Sequence, residues 1–286
     1  MIDDDEACYD GPSNADNAPC TSTCALNVCG DGLLLADVEE CDDGPDNADA
    51  VACTSICTKN VCGDGMVFEG VEECDDTYPQ FSGGGDGCSA TCTREQVVFV
   101  SLKQYDGDLG GPAGADELCA QAGAQSIKLP WPQDNNTIFK AWIADPACPP
   151  ERRFPHADRP YVRIDGDEIA ADWDDLIDGI TPGDVRMNEY GLWLEEPYNL
   201  RVWTAVDGDG TALPDAAAKS CNFWTLAGDS FFGALGRADL GDLAWSRWTG
   251  EGGDLAQGCH LKAHLYCVQI ACDVYPEYCA PGYCAP

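Results

Sequence analysis

The chain has 286 residues, long enough for more than one domain, and sets 51 Asp and Glu against 15 Lys and Arg, a formal net charge of −36 at pH 7. Phosphate binding needs clustered Lys and Arg, so nucleic acid is excluded as a partner. Nineteen cysteines argue against a reducing cytosol and for secretion or a surface, and no apolar run approaches the roughly 18 residues that span a bilayer.

The first predicted element is a repeat. Cys29-Gly30-Asp31-Gly32, Glu39-Glu40-Cys41-Asp42-Asp43-Gly44, Cys53 and Cys57 recur 33 positions later as Cys62-Gly63-Asp64-Gly65, Glu72-Glu73-Cys74-Asp75-Asp76, Cys88 and Cys92, with a glycine-rich two-residue insertion. Shifted back by 33, the frame gives Glu6, Cys8, Asp10, Gly11, Cys20 and Cys24. Such a period marks an array of small modules. The first copy lacks its opening Cys-Gly-Asp-Gly, so the polypeptide is expected to continue upstream of Met1, with any export signal or anchor outside this sequence. Four cysteines per module allow three pairings, which spacing does not choose among. Leu33 to Leu35 and Met66 to Phe68 read as a short strand or turn that stacks one module on the next. Cys-Gly-Asp-Gly, Glu-Glu-Cys-Asp-Asp-Gly and Asp86-Gly87-Cys88-Ser89 resemble the myxococcal cysteine-rich repeats of secreted bacterial proteins.

Residues 1 to 96 hold 22 acids and only two bases, Lys59 and Arg94. Repulsion this dense opposes compaction unless something neutralises it. Glu6, Glu39 and Glu72 coincide between copies, as do Asp10, Asp43 and Asp76; Asp16 and Asp49 coincide with Asp86 nearby, and Asp31 matches Asp64. Calcium takes hard oxygens from flexible Asp, Asn and Gly loops, so Ca2+ is the expected cofactor of the array and these acids its candidate ligands. A solvated acidic surface is the plain alternative, and no stretch reads as an EF-hand loop.

From Gln96 the composition changes, and all eight tryptophans follow residue 130. Val97 to Leu102, Ile138 to Ala144, Tyr161 to Ile164, Val202 to Val206, Ala244 to Trp248 and Leu261 to Ile270 read as strands. Pro112 to Gly123 and Ala171 to Asp178 read as helices. The expected organisation is a cysteine-rich acidic array over 1–93, an α+β domain over 94–270 and a cysteine-containing tail over 271–286.

Val97-Val98-Phe99-Val100, Gly114-Ala115-Asp116-Glu117-Leu118-Cys119, Lys140-Ala141-Trp142-Ile143, Val202-Trp203-Thr204, Cys221-Asn222-Phe223-Trp224-Thr225 and Leu265-Tyr266-Cys267 resemble a surface domain of leptospiral lipoproteins. That domain is similar to the endostatin branch of the C-type-lectin-like fold. The expected fold class is therefore a small disulfide-rich repeat array plus an α+β C-type-lectin-like (endostatin-like) domain. The resemblance implies disulfides Cys119 to Cys267 and Cys221 to Cys259. Cys148, Cys272, Cys279 and Cys284 are left to make two more. Eleven cysteines remain in the array; an upstream cysteine, a free thiol or a disulfide-linked dimer would account for the odd one.

Calcium-dependent lectins of this fold use Glu-Pro-Asn or Gln-Pro-Asp with Trp-Asn-Asp. Here Glu195-Glu196-Pro197-Tyr198-Asn199 is off by one residue and no Trp-Asn-Asp precedes Cys259, which argues against that activity. Asp207-Gly208-Asp209-Gly210 and Asp165-Gly166-Asp167-Glu168 read as acidic turns before calcium loops. Of the tryptophans, Trp193 and Trp131 are the surface candidates for a ligand, the others core. His260 and His264 on a strand would lie about 13 Å apart, too far to share zinc, and no hydrolase elbow or phosphate loop is present. The sequence thus reads as a non-enzymatic secreted or bacterial surface protein: a disulfide- and calcium-stiffened stalk presenting a lectin-like domain to an extracellular glycan or protein ligand. Its alternative is a structural subunit of a filament or layer, packing with copies of itself.

Overall fold

The computed structural model describes residues 7–76, 84–126, 137–178, 184–195, 200–250, 253–280 and 283–284. The chain divides into two units, Met1–Ser82 with Ala90–Thr93, and Gly83–Ser89 with Arg94–Pro286.

In the first unit the sequence period is also a structural one. The last cysteine of each module sits in left-handed backbone, Cys24 at φ 57°, Cys57 at 59° and Cys92 at 54°. The backbone ladder repeats too: Ala36 N–H donates to Asn17 O as Glu69 N–H does to Ala50 O, both 3.1 Å, and these bonds join successive modules. Within a module Glu40 N–H reaches Cys57 O as Glu73 N–H reaches Cys92 O, both 3.0 Å. First and last cysteines pair, Cys29 with Cys57 and Cys62 with Cys92, and the middle ones join across 12 residues, Cys8 with Cys20 and Cys41 with Cys53. Among the described residues of this unit the only regular elements are two 3-10 turns, Gly11–Ser13 and Gly44–Asp46. The Leu33 and Met66 segments are bends with no strand, and Leu34 and Val67 stay 48% and 42% exposed.

The second unit is α+β with mixed sheets. Its strands are β1 Gln96–Val100, β2 Thr137–Ala141, β3 Tyr161–Arg163, β4 Glu168–Ala170, β5 Arg201–Trp203, β6 Phe232–Arg237, β7 Thr249–Gly250, β8 Gly253–Asp254, β9 Ala256–Gly258 and β10 Tyr266–Ala271. A five-stranded sheet runs β2-β10-β1-β3-β4, with β1 parallel to β3 and antiparallel to β10; a second runs β5-β6-β9, and β7-β8 is a hairpin. Every residue of β1 and β10 is buried, which is why both read as near-continuous apolar runs. Helix α1, Gly111–Gly123, opens on Pro112 and turns Ala115, Cys119, Ala122 and Gly123 inward. Gly123 is required there, because a Cβ would come within 2.5 Å of the Phe139 ring. Two short helices, α2 Pro150–Arg153 and α3 Trp173–Leu176, follow, the latter capped by Asp172 accepting from Asp175 N–H.

Tryptophan fills the centre. Trp142 lies 5.4 Å from Phe154, 5.8 Å from Trp173 and 5.2 Å from Trp245 between ring centroids. The indole N–H groups of Trp142, Trp203 and Trp224 find acceptors, Ser246 Oγ, Tyr105 O and Ala144 O, at 2.8 to 2.9 Å, so these three leave no hydrogen bond unmade, whereas the buried Trp245 Nε1 has no partner among the described residues.

Two expectations need correction. Ala244 to Trp248 is no strand: Asp242 caps a 3-10 turn over Leu243–Trp245 that swings Trp245 into the core. Second, the glycine-rich insertion serves the second unit. A Cβ on Gly85, at φ 90°, would meet Ile164 O at 2.5 Å, and Gly85 N–H donates to Glu95 Oε2 at 2.8 Å.

Candidate binding surfaces

The repeated acids of the array act mainly as acceptors for backbone N–H groups. Asp31 takes Val28 and Leu33 N–H, and Asp64 takes Val61 and Met66 N–H, all at 2.8 to 2.9 Å. Asp16 and Asp49 each accept the hydroxyl and N–H of a serine six residues on, Ser22 and Ser55. The serine hydroxyls, then the N–H bonds, hold both carboxyls below the usual range. Glu39 and Glu72 accept Leu35 and Phe68 N–H.

Glu39 and Glu72 are brought beside Asp42 and Asp75, with one oxygen of each within 4.8 Å of the other and of a cysteine sulfur, Cys57 or Cys92. Asp43 instead stands at the N-cap position of a 3-10 turn without a side-chain capping bond, and Asp76 is buried at 7% exposure. Asp10 holds the equivalent N-cap position, also without a side-chain capping bond, and Asp86 is buried in the second unit, accepting Cys88 N–H. Glu6 lies outside the described residues. Both sulfurs belong to disulfides and are not thiolates, so each cluster offers a cation two carboxylates. Asp42 Oδ2 accepts Gly30 and Asp31 N–H and Oδ1 accepts Gly44 N–H and the Asn47 amide. Burial pushes the Asp42 carboxyl up, but the Gly44, Gly30, Gly32 and Asn47 bonds outweigh it and hold it low. Among the described residues Asp75 accepts one bond per oxygen, from Gly63 and Gly65 N–H. The counterparts of Gly44 and Asn47, residues 77 and 80, lie outside the described residues.

In the second unit Cys119 is joined to Cys267, Cys221 to Cys259, Cys148 to Cys284 and Cys272 to Cys279. The acidic quartets are turns: Asp207 N–H bonds Thr211 O, and Asp165 and Asp167 both pair with Arg163. His264 is fully buried, with Nδ1 at 2.6 Å from Ser101 O and Nε2 at 2.9 Å from Gln104, a core histidine. Trp131 and residues 196–199 of the off-register Glu-Pro-Asn stretch lie outside the described residues.

Trp193 is 43% exposed and its neighbour Leu192 61%. They sit on a tight turn in which Asn188 N–H donates to Leu192 O, while the Asn188 side chain accepts Tyr190 and Leu192 N–H. Arg163 and Arg186 lie over the Trp193 ring at 4.9 and 5.6 Å, within cation–π range. Asp165 and Asp167 fix the first guanidinium, Asp184 the second. Sequence reasoning picked the ring and missed its arginines, which lie 30 and seven positions away. A similar arrangement sets Arg237 at 5.0 Å and Arg201 at 6.0 Å from the Trp248 ring. Trp248 lines an open cleft of about 640 Å³ with Leu240, Asp242, Leu243, Arg247 and Thr249.

No family model and no curated protein matches this chain. The numerous disulfides fit an oxidising compartment, and no helix among the described residues is long and apolar enough to cross a membrane.

Proposed function

We propose that this chain is a non-enzymatic extracellular protein whose second unit, read as C-type-lectin-like, binds a glycan or protein ligand for adhesion through the Trp193 turn. The supporting observation is the exposed indole on a hydrogen-bonded turn, flanked by guanidinium and carboxylate groups. The ring offers an apolar stacking surface, and two arginines set against three aspartates leave a nearly balanced set of hydrogen-bonding groups. That chemistry suits a polyhydroxy ligand better than a polyanion. A glycan array with and without EDTA, run on wild type and Trp193→Ala, tests it. Saturable binding that the substitution removes supports the reading; binding unchanged by the substitution rejects the Trp193 site.

Calcium belongs to the same proposal, with Glu39 and Asp42, and Glu72 and Asp75, as the paired carboxylates. Titration with Ca2+ followed by calorimetry should give weak binding that Asp42→Asn with Asp75→Asn abolishes; binding unchanged by the pair would reject these carboxylates as the site.

The second reading, a self-assembling structural subunit, has its own support in Val38 and Val71, 73% and 69% exposed at equivalent positions of successive modules. A repeating apolar edge of this kind suits packing against a second copy. Concentration-dependent association in light scattering, abolished by Val38→Ser with Val71→Ser, would favour it over the first.

A further inference from the structure

Lysine is among the residues least often fully buried, yet Lys140 in β2 is only 2% exposed. It lines a cleft of about 180 Å³ formed with Ala113, Asp116, Glu117 and Ala120 of α1, Ile138 and Phe139 of β2, and Cys279 and Ala280 of the C-terminal segment. The carboxylate beside it is committed elsewhere. Asp116 pairs with Arg153 and accepts Ala141 N–H at 2.9 Å. Arg153, itself 2% exposed, also donates from Nη1 to Ala141 O and Ile143 O. Lys140 Nζ is left with a long 3.5 Å contact to Arg153 O and the Tyr283 ring at 5.9 Å. A desolvated amine beside a second buried cation is the arrangement that turns lysine into a nucleophile.

We propose that Lys140 is a reactive amine that takes up a small neutral aldehyde as an imine. The nitrogen lone pair attacks the carbonyl carbon, and the C=O π pair moves to oxygen. A proton passes from nitrogen to oxygen to give the carbinolamine, and loss of water leaves C=N, so amine and aldehyde become imine and water with no redox partner. Ala113, Ala120, Ile138 and Phe139 accommodate an apolar substituent, and Asp116 and Glu117 oppose an anionic one.

Burial brings the Lys140 ammonium down to about 8, with Arg153 adding to the fall and Asp116 opposing it. At pH 7.4 that leaves on the order of a fifth of the amine unprotonated, about two hundred times the fraction of an ordinary lysine. The groups facing it are Asp116 and Glu117 from α1, Arg153 from α2 and Tyr283 from the C-terminal segment. Lys219 is the internal contrast, held protonated first by its bond to Asp215.

The test uses the wild-type chain, with butanal and cyanoborohydride at pH 7.4 and peptide mass spectrometry over time. Lys140 should be alkylated at least about tenfold faster than Lys103, Lys219 or Lys262, with a rate that levels off near pH 8. Glyoxylate should react more slowly there than butanal, and Ala120→Phe, which fills the cleft from a half-exposed helix position, should protect Lys140. Modification of Lys140 no faster than the exposed lysines would overturn the proposal. So would fast modification that Ala120→Phe leaves unchanged, and a preference for glyoxylate would overturn the ligand class. None of these outcomes depends on Trp193.

Discussion

Among the described residues of the array, the side chains removed from solvent are cysteines, Thr21, Thr54, Asn27, Asn60 and Asp76, while valines such as Val38, Val61 and Val71 are exposed. In the second unit they are Trp142, Trp203, Trp224, Tyr266, Phe99 and the β-branched residues of β1 and β10. A module of about 33 residues has too little volume to bury a core, so covalent bridges and turn-closing carboxylates take over the role of apolar packing. The same chain carries both solutions, and the difference is one of module size. Dense negative charge is tolerable in the array because many of its carboxylates face backbone N–H groups, which bring partial positive charge without any lysine.

The sharpest way to separate the two solutions is to remove one support from each. Loss of the 148-residue Cys119–Cys267 closure in a Cys119→Ala, Cys267→Ala chain should lower the second unit's stability by about 5 kcal/mol in the chain-entropy account, read from its tryptophan denaturation midpoint. Trp142→Ala should cost about 4 kcal/mol in the same unit and leave amide protection in the array unchanged. Cys41→Ala with Cys53→Ala, opening a 12-residue link, should cost about 3 kcal/mol and appear only as faster exchange within that module. If Trp142→Ala also loosened the array, the two units would be sharing a core and the comparison would fail.

Acid should discriminate more gently. Asp16, Asp42 and Asp49 are held below the usual carboxylate range in the folded array, so the folded state binds fewer protons than the unfolded one. Their contribution is complete above the unfolded value of about 4 and is lost as pH falls through the lowered folded values. Exchange at Gly30, Gly44, Ser22 and Ser55 amides should rise on that descent, before the β1 and β10 amides respond. The smallest effect belongs to Trp193→Ala, a loss of about 1 kcal/mol in stability from its two cation–π contacts, whatever it does to binding.

Much of this was legible because the signals are local or periodic. The 33-residue repeat, α1 with its proline start, and the buried strands β1, β2, β3, β5 and β10 follow from spacing and β-branched content. β6 was not legible: Phe232–Arg237 contains Gly233 and Gly236, which weaken any strand reading. They are needed because a Cβ there would strike the Trp203 ring at 2.5 Å and Trp245 O at 2.0 Å, neighbours distant in sequence. The turn over Cys221–Trp224, four consecutive residues at φ between 52° and 63°, has no sequence signature either. A left-handed turn without glycine disfavours itself locally, and here the Cys221–Cys259 bridge and the buried Trp224 hold it. In the array, alignment of three copies selected Asp43 over Asp42 because Tyr9 stands at the Asp42 position of the first copy. It is in the folded module that Asp42 gathers the N–H groups.

Hydrogen–deuterium exchange of the whole chain before and after mild reduction tests the central contrast most directly. Protection of the Glu40, Thr54, Glu73 and Asn60 amides should vanish once the Cys29–Cys57, Cys41–Cys53 and Cys62–Cys92 bridges open, while amides of β1 and β10 keep theirs. Array amides that stay protected with their cysteines reduced would contradict the account.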